Sequence, residues 1–501
     1  MQGKPLQLTV ILLLLMLAAA VVSHASAHNA PIMWPTRDHD YARTGSFQGI
    51  PRGYTVNGYN LLWKFEAGLC VASSPVVGDF NGDGIVDVSF ASCDEYQYTV
   101  YGTNGTLEWK VKTGGGLVSP SAGDVNGDGK PEIIVGGASH LLYCFTGDGR
   151  ILWTVKQGYF ERALPVIGDF NGDGRVEVAA NSLDGRVFIV DGPTGRVEWS
   201  GRVGAEAVSP LASADVNGDG LPDIAGTSGN ILFTITYSGG NYTVHELKLP
   251  EEAKGFPTLY DVNGDGLPEI LVAYGDKLSA VSYTKGVLWT APLPGEMENS
   301  VAVGDVLHTG TPQIVATTSD GIFIYSLNGA LLEKITGFNG AYASPLIGDL
   351  TGDGLPDLLV AGYNGRVYIL NVSAGDNFYQ DIVYEFDTHG PIMSSPTVAD
   401  VNGDGIPEIL IPSRDFNLYV YTPNATITHT ATPMPTQTST TSGQSATTSR
   451  ARLGPANGGP GWSSGTLPAS GTGRLNPKIV GVVTVIVGVM LAAAVLYSRR
   501  I

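Results

Sequence analysis

The chain has 501 residues, of which 67 are Gly and 30 are Pro, and its formal net charge is −19. Charged residues make up only 15%, so the composition suits short strands joined by tight turns and excludes a mainly helical or a disordered chain. The negative balance argues against nucleic acid as a partner.

In chain order, the first element is an export signal. Lys4 supplies a positive start, Leu6 to Val22 is apolar, and Ala25-Ser26-Ala27 is a small-residue cleavage site, which together predict a signal peptide over residues 1–27. The same apolar run could serve as an N-terminal anchor, and the small-residue site argues against that. Residues 28–59 form a lead-in that carries the segment WPTRDHDYARTG, Trp34 to Gly45. Asn60 to Gly68, NLLWKFEAG, then has the pattern of an isolated strand.

A nine-residue pattern follows, Asp-x-Asn-Gly-Asp-Gly-x-x-Asp/Glu. It begins at Asp79, Asp124, Asp169, Asp215, Asp261 and Asp400, has Thr in place of Asn in the copy at Asp349, and degenerates to DVLHTGTPQ at Asp305. The step is about 45 residues, the size of one propeller blade. Within the second unit SPSAGD, PEIIVGG, LLYCFTGDG and RILWTVKQG read as four antiparallel strands separated by turn signals. The last unit stops after NLYVYTP and lacks a fourth strand, which the isolated strand 60–68 supplies. The expected fold class is all-β: an eight-bladed β-propeller of four-stranded blades over residues 60–423, closed by that N-terminal strand pairing with the last blade. An open solenoid would leave both end fragments unpaired. Trp63, Trp109, Trp153, Trp199 and Trp289 all fall on fourth strands, where blade-to-blade packing is expected.

The repeated loop has the chemistry of a calcium site. A hard cation takes six to eight oxygens at about 2.3–2.6 Å. Side chains at loop positions 1, 3, 5 and 9 and the carbonyl at position 7 can supply them, with Gly at position 6 for the sharp turn. Seven ligand sets follow. They are Asp79, Asn81, Asp83, Ile85 and Asp87; Asp124, Asn126, Asp128, Lys130 and Glu132; Asp169, Asn171, Asp173, Arg175 and Glu177; and Asp215, Asn217, Asp219, Leu221 and Asp223. The remaining three are Asp261, Asn263, Asp265, Leu267 and Glu269; Asp349, Thr351, Asp353, Leu355 and Asp357; and Asp400, Asn402, Asp404, Ile406 and Glu408. Beside Asp305, Leu307, Thr309 and Gln313 replace three ligands, and no ion is expected there. One copy alone could be an Asn-Gly turn without metal; seven copies at blade spacing favour about seven Ca²⁺. Those ions would offset most of the net charge, so the acidity reads as ligand charge and says little about partners.

Cys70, Cys93 and Cys144 occur without a CxxC pair, which argues against a thiolate zinc site. Cys70 precedes the first strand of blade 1 and Cys93 follows its second, on the same face, so a Cys70–Cys93 disulfide is expected in an exported chain. Cys144 is expected to be a buried thiol. Asn104, Asn241, Asn371 and Asn424 lie in N-x-Ser/Thr sequons, which are acceptor sites outside the cell. Residues 424–478 are rich in Ser, Thr, Pro and Gly and read as an exposed stalk. Ile479 to Tyr497 is an apolar run, roughly 28 Å long as a helix and enough to cross a bilayer core. Arg499 and Arg500 in the tail 498–501 would then lie inside. These features predict a single-pass type I membrane protein with an extracellular propeller.

The Asp loops resemble the FG-GAP and VCBS repeats of integrin-α-like calcium-binding propellers. The outer strands GTLEW, GRILW and GRVEW, and the lead-in WPTRDHDYARTG, resemble eight-bladed quinoprotein-like (PQQ-type) propellers. The resemblance covers residues 34 to 423 and implies the fold and the calcium ligands, position by position. No quinone-binding or catalytic residue carries over from it.

Chain direction places the calcium loops and the third-to-fourth turns on one face. Second-to-third loops and blade connectors lie on the other, and they vary from blade to blade as a binding surface would. Candidate ligand residues there are Glu95, Tyr96, Tyr159, Phe160, Arg162, Arg414 and Phe416, since exposed aromatics beside Arg can stack on sugars or anchor a protein. The first functional reading is a cell-surface recognition or adhesion module for an extracellular protein or glycan. The alternatives are an extracellular enzyme, polysaccharide lyase-like or quinone-dependent dehydrogenase-like, and a structural envelope component. No nucleophile motif or phosphate loop occurs, and His140 and His389 belong to blades that are not adjacent.

Overall fold

The structure is a computed structural model that describes residues 32–114, 118–204, 207–372 and 381–427. The expected signal peptide, residues 428–478 of the stalk and the expected transmembrane helix lie outside the described residues. Among the described residues no helix is long and apolar enough to cross a membrane.

Eight four-stranded antiparallel sheets make an all-β propeller. Blade 1 is Val76–Gly78, Asp87–Ala91, Tyr96–Tyr101 and Leu107–Lys112. Blades 2 to 7 follow in chain order over residues 121–155, 166–202, 212–248, 258–292, 302–335 and 346–387. Blade 8 takes Thr397–Ala399, Glu408–Pro412 and Asn417–Ile427 from the end of the chain and Tyr54–Glu66 from its start. The closing strand therefore begins at Tyr54 rather than Asn60 and ends at Glu66 rather than Gly68. Its partner runs on to Ile427, with Tyr54 opposite Ile427 and Glu66 opposite Asn417. The residues NATI (Asn424 to Ile427), assigned to the stalk by composition, join a strand because Thr and Ile suit a pleated edge as soon as a partner lies alongside.

Second strands such as Asp87–Ala91 and Glu132–Gly136 are buried along their whole length. Each is covered on both faces by neighbouring blades, which explains their unbroken apolar runs. Fourth strands are outermost and half exposed, as at Leu107–Lys112. Their tryptophans lock one blade to the next. Trp63, Trp109 and Trp153 Nε1 donate to the carbonyls of Gly102, Gly147 and Gly192 in the following blade at 2.6–2.7 Å. Trp289 donates to Leu327 O at 3.0 Å. The turn glycine beneath Trp153, Gly195, has φ 70°, and a Cβ there would meet the indole at 2.6 Å.

The lead-in threads the axis of the ring. Innermost strands are sheet edges with free N–H groups, and this segment satisfies them. Pro35 O accepts from Ala122 N, Tyr41 O from Ser213 N, Ala42 O from Leu259 N, Thr44 O from Val303 N and Gly45 O from Ile347 N, all at 2.7–2.9 Å. Trp34 bridges to Val77. Trp34, Asp38 and Arg43 are fully buried. Asp38 accepts from Ser300 Oγ (2.9 Å) and Ser395 Oγ (2.7 Å) and lies 3.8 Å from Arg43 Nη1. Arg43 Nε donates to Leu211 O at 2.6 Å.

Candidate functional site

The Asp loops are built alike. Asp79 Oδ1 accepts from Gly82 N (2.7 Å) and Asp83 N (3.1 Å), and Oδ2 from Gly84 N (2.9 Å). Asn81 Oδ1 accepts from Asp83 N and Asp83 Oδ1 from Ile85 N, both at 2.8 Å. Gly82 and Gly84 take φ 75° and 86°, angles that residues with a Cβ avoid. The bond from position 4 to the first Asp recurs at 2.7 Å from Gly127, Gly172, Gly218, Gly264, Gly352 and Gly403. Ligand side chains are thus oriented by the loop's own backbone.

Position 9 opens the buried second strand. Asp87, Glu132, Glu177, Asp223, Glu269, Asp357 and Glu408 are each at most 2% exposed. One carboxylate oxygen of each of Asp87, Glu132, Glu177, Asp223, Glu269, Asp357 and Glu408 accepts from the N–H of loop position 2, as in Phe80 N to Asp87 Oδ2 at 3.0 Å. Burial, reinforced by the carboxylate at position 5, pushes Glu132, Glu177, Asp223, Asp357 and Glu408 up to about 7. Glu269 is also raised. Burial and the adjacent Glu108 push Asp87 up to about 9. Among the described residues Asp87 Oδ1 and Asp357 Oδ1 are buried without a hydrogen-bond partner. A carboxylate so placed lacks a counter-charge, which a divalent cation in the loop would supply. In the third loop, ligand oxygens of Asp169, Asp173 and Glu177 lie within 4.8 Å of one another, close enough to share one ion. These residues fit calcium.

At position 3, Asn126, Asn217, Asn263 and Asn402 turn their amide Nδ2 to the position-9 carboxylate at 2.5–3.0 Å. Asn81 instead donates to Glu108 Oε2 at 3.1 Å, so blade 1 brings a fourth carboxylate to its loop. Position-7 side chains reach back to the preceding blade: Lys130 Nζ donates to Asn81 O at 2.6 Å, and Leu221 packs over Gly172. Lys285 Nζ lies 2.6 Å from Asp265 Oδ2.

The degenerate loop is closed by its own side chains. Gln313 Nε2 donates to Thr309 Oγ1 (2.9 Å) and Asp305 Oδ1 (3.4 Å), while Leu307 N donates to Gln313 Oε1 at 3.0 Å. Burial works to raise the Asp305 carboxyl, but the N–H groups of Thr309 and Gly310 and the Gln313 amide outweigh it and hold it below the usual range. An amide does here what a cation would do elsewhere.

The two faces separate as chain direction requires. Gly102 N and Gly192 N in third-to-fourth turns bond to Val86 O and Val176 O of the Asp loops. On the other face, second-to-third loops bond to connectors, as in Leu183 N to Tyr159 O and Arg414 N to Pro391 O. The structure joins Cys70 to Cys93 there, with Cα atoms 5.2 Å apart, and buries the free Cys144. Of the candidate ligand residues, Tyr159 is 50% and Phe416 44% exposed. Tyr159 packs edge-on against His140 at 4.7 Å. Glu95 pairs with Lys112 Nζ at 2.8 Å, and Lys110 Nζ lies over the half-buried Tyr96 ring at 4.8 Å. Arg414 is exposed beside Met393. Phe160 is a correction: it is 0% exposed, with its ring 5.3 Å from Phe188. It seals the gap between blades 2 and 3 while its neighbour Tyr159 points outward.

Sequence reasoning missed the centre of this face. A cavity of about 420 Å³ opens there, lined by connectors from all around the ring and floored by Arg37 of the axial segment. Only Arg162 among the candidate residues lines it. The signal available was the lead-in itself, whose two Arg and two Asp between Trp34 and Gly45 are too polar for a plain core strand.

Fold and loops define an eight-bladed propeller carrying FG-GAP-like repeats. The FG-GAP-like repeat family matches residues 79–135, 169–226 and 349–411. No curated protein matches the chain. Among solved structures, the V. cholerae biofilm matrix protein Bap1 is similar with 15% identity and a TM-score of 0.55, over 73% of this chain and 91% of that one. Saccharomyces cerevisiae Sqt1 is 12% identical with a TM-score of 0.55, over 73% and 100%. A europium-containing methanol dehydrogenase is 10% identical with a TM-score of 0.55, over 77% and 90%. Identities this low speak for a shared fold alone.

Proposed function

We propose that the protein is a calcium-loaded recognition module, exported and held at the outer face of a membrane by its C-terminal segment. The observation that carries this reading is the division of labour between faces. One face is committed to repeated Asp loops; the other carries non-repeating connectors around a central cavity. The last described strand ends at Ile427, opposite Tyr54, and Val56 N bonds to Thr351 O of a calcium loop. The last described strand therefore ends on the Asp-loop face. The opposite face, with its cavity, is left to meet a protein or glycan partner. About seven Ca²⁺ would stiffen the ring that displays it.

The test is attachment of full-length protein, presented on cells, to a glycan array and to partner cells in calcium. Tyr159→Ala and Arg414→Ala should weaken attachment without changing the melting temperature, and Arg150→Ala on the calcium face should not. Loss of attachment from calcium-face changes, with the opposite face indifferent, would overturn the assignment.

A further inference from the structure

We propose that the central cavity binds a small acidic sugar, a polyol carrying one carboxylate. This rests on the recognition reading above and names the ligand class of its cavity face. At about 420 Å³ the cavity falls in the range of small-ligand sites, ~300–1,000 Å³.

Its floor is a fixed anion donor. Arg37 is 9% exposed. Its Nε donates to Ser395 Oγ (3.2 Å) and its Nη2 to Tyr342 O (2.7 Å), with Asp38 Oδ1 3.6 Å from Nε. The guanidinium lies 5.1 Å from the Phe256 ring centroid. Those contacts hold the planar fork in one orientation, and Nη1 has no acceptor among the described residues. Arg162, exposed on the connector between blades 2 and 3, has a side chain without an ion-pair or hydrogen-bond partner among the described residues. The ligand's carboxylate meets these two groups.

The opposite wall asks for donors. Glu252 and Glu298 line the cavity, and neither side chain has a partner among the described residues. Lys254 is engaged, loosely, by Glu296 at 3.9 Å. Ionised carboxylates only accept hydrogen bonds, so a ligand must bring O–H or N–H groups to them. Phe256 and Tyr342 complete the lining, and aromatic rings suit the C–H face of a sugar ring. One carboxylate, several hydroxyls and an apolar ring face occur together in an acidic sugar. A neutral sugar leaves Arg37 and Arg162 unanswered, and a small amino acid leaves the aromatic faces uncovered.

The experiment is calorimetric titration of the full-length protein in detergent and calcium with glucuronate, glucose and glycine. Glucuronate should bind saturably, with glucose and glycine at least tenfold weaker. Arg162→Gln should weaken glucuronate binding at least tenfold with unchanged melting, and Glu298→Gln should weaken glucuronate and glucose alike. Arg37→Lys should also weaken glucuronate binding; because Arg37 helps hold the axial segment, Arg162→Gln is the variant that decides if Arg37→Lys misfolds. Absence of saturable glucuronate binding, equal affinity for glucose or glycine, or an indifferent Arg162→Gln overturns the proposal. If attachment still depends on Tyr159 and Arg414 in that case, the ligand class fails and the recognition face stands.

Discussion

Asp38→Asn tests whether the axial segment holds the ring together. Asp38 is the acidic centre of a fully buried cluster, 3.8 Å from Arg43 Nη1 and 3.6 Å from Arg37 Nε. It also takes hydrogen bonds from Ser300 and Ser395, on the connectors entering blades 6 and 8. Arg43 is 0% exposed, and burial already pulls its pKa down to about 10 against the opposing pull of Asp38. Asn keeps the size and one acceptor but removes the charge. Its backbone tolerates the φ of 66° found at Asp38, so strain does not confound the comparison. Removing one partner of a buried ion pair costs about 3–5 kcal/mol, because the other charge stays uncompensated. That is a large part of the about 5–15 kcal/mol typical of a folded domain. The assay is urea unfolding followed by tryptophan fluorescence in saturating calcium. With an m-value near 3 kcal/mol/M, the midpoint should fall by about 1–2 M. Asp148→Asn, at an exposed pair with Arg150, should move it by less than about 0.3 M. Equal midpoints for Asp38→Asn and wild type would refute the view that this cluster pins the blades.

If the loops hold calcium as proposed, the ion should set the sign of the pH response. Without the ion, Glu132, Glu177, Asp223, Asp357 and Glu408, raised to about 7 in the fold, bind protons more tightly folded than unfolded. Stability should then be greatest below about pH 4 and fall as pH rises towards about 7. In saturating calcium the order should reverse, because protons compete with the ion; melting curves at pH 5 and 8, on dialysed and calcium-loaded protein, check this, and one sign in both states would sink it. The triple change Leu307→Asn, Thr309→Asp and Gln313→Glu should add one bound Ca²⁺ per chain by equilibrium dialysis; an unchanged count would show that the amide-closed loop cannot be converted. Trp153→Phe removes the 2.6 Å bond to Gly192 O and indole volume between blades, and should cost about 1–3 kcal/mol in urea unfolding; no change would mean that the indole only covers the surface.

The ring was legible because its information is local and repeated. Each Asp loop announces a turn between two strands, and the spacing sets the blade. Closure was legible from two incomplete ends, although the extra pairs from Tyr54↔Ile427 to Tyr59↔Pro423 were not, since Thr and Asn there look like linker until a partner strand is known. Phe160 was misplaced because aromatic composition does not say which of two adjacent residues faces in. The axial segment was the larger miss. Its burial depends on eight inner strand edges converging, and no window of the sequence contains that fact. The cavity went unseen for the same reason: its lining comes from connectors scattered between Ala72 and Met393.

One stretch of chain does two long-range jobs. Residues 34–45 fill the channel, and residues 54–66 close the ring by pairing with the final strand; Asn57 and Thr426 meet across 369 residues of sequence. Contacts between successive blades are local by comparison, as in Trp109 to Gly147 across 38 residues. Closing long loops is slow because their entropy is lost before any contact rewards it. Blades 1 to 7 can therefore assemble in order while blade 8 waits for Asn417–Ile427. Until then the axial segment has inner edges to bind but no complete ring around it. The cavity floor needs Arg37 held by Ser395 and Tyr342, on the connectors entering blades 8 and 7. If the cavity is a binding site as proposed, its assembly depends on closure, and an unclosed chain would present no site.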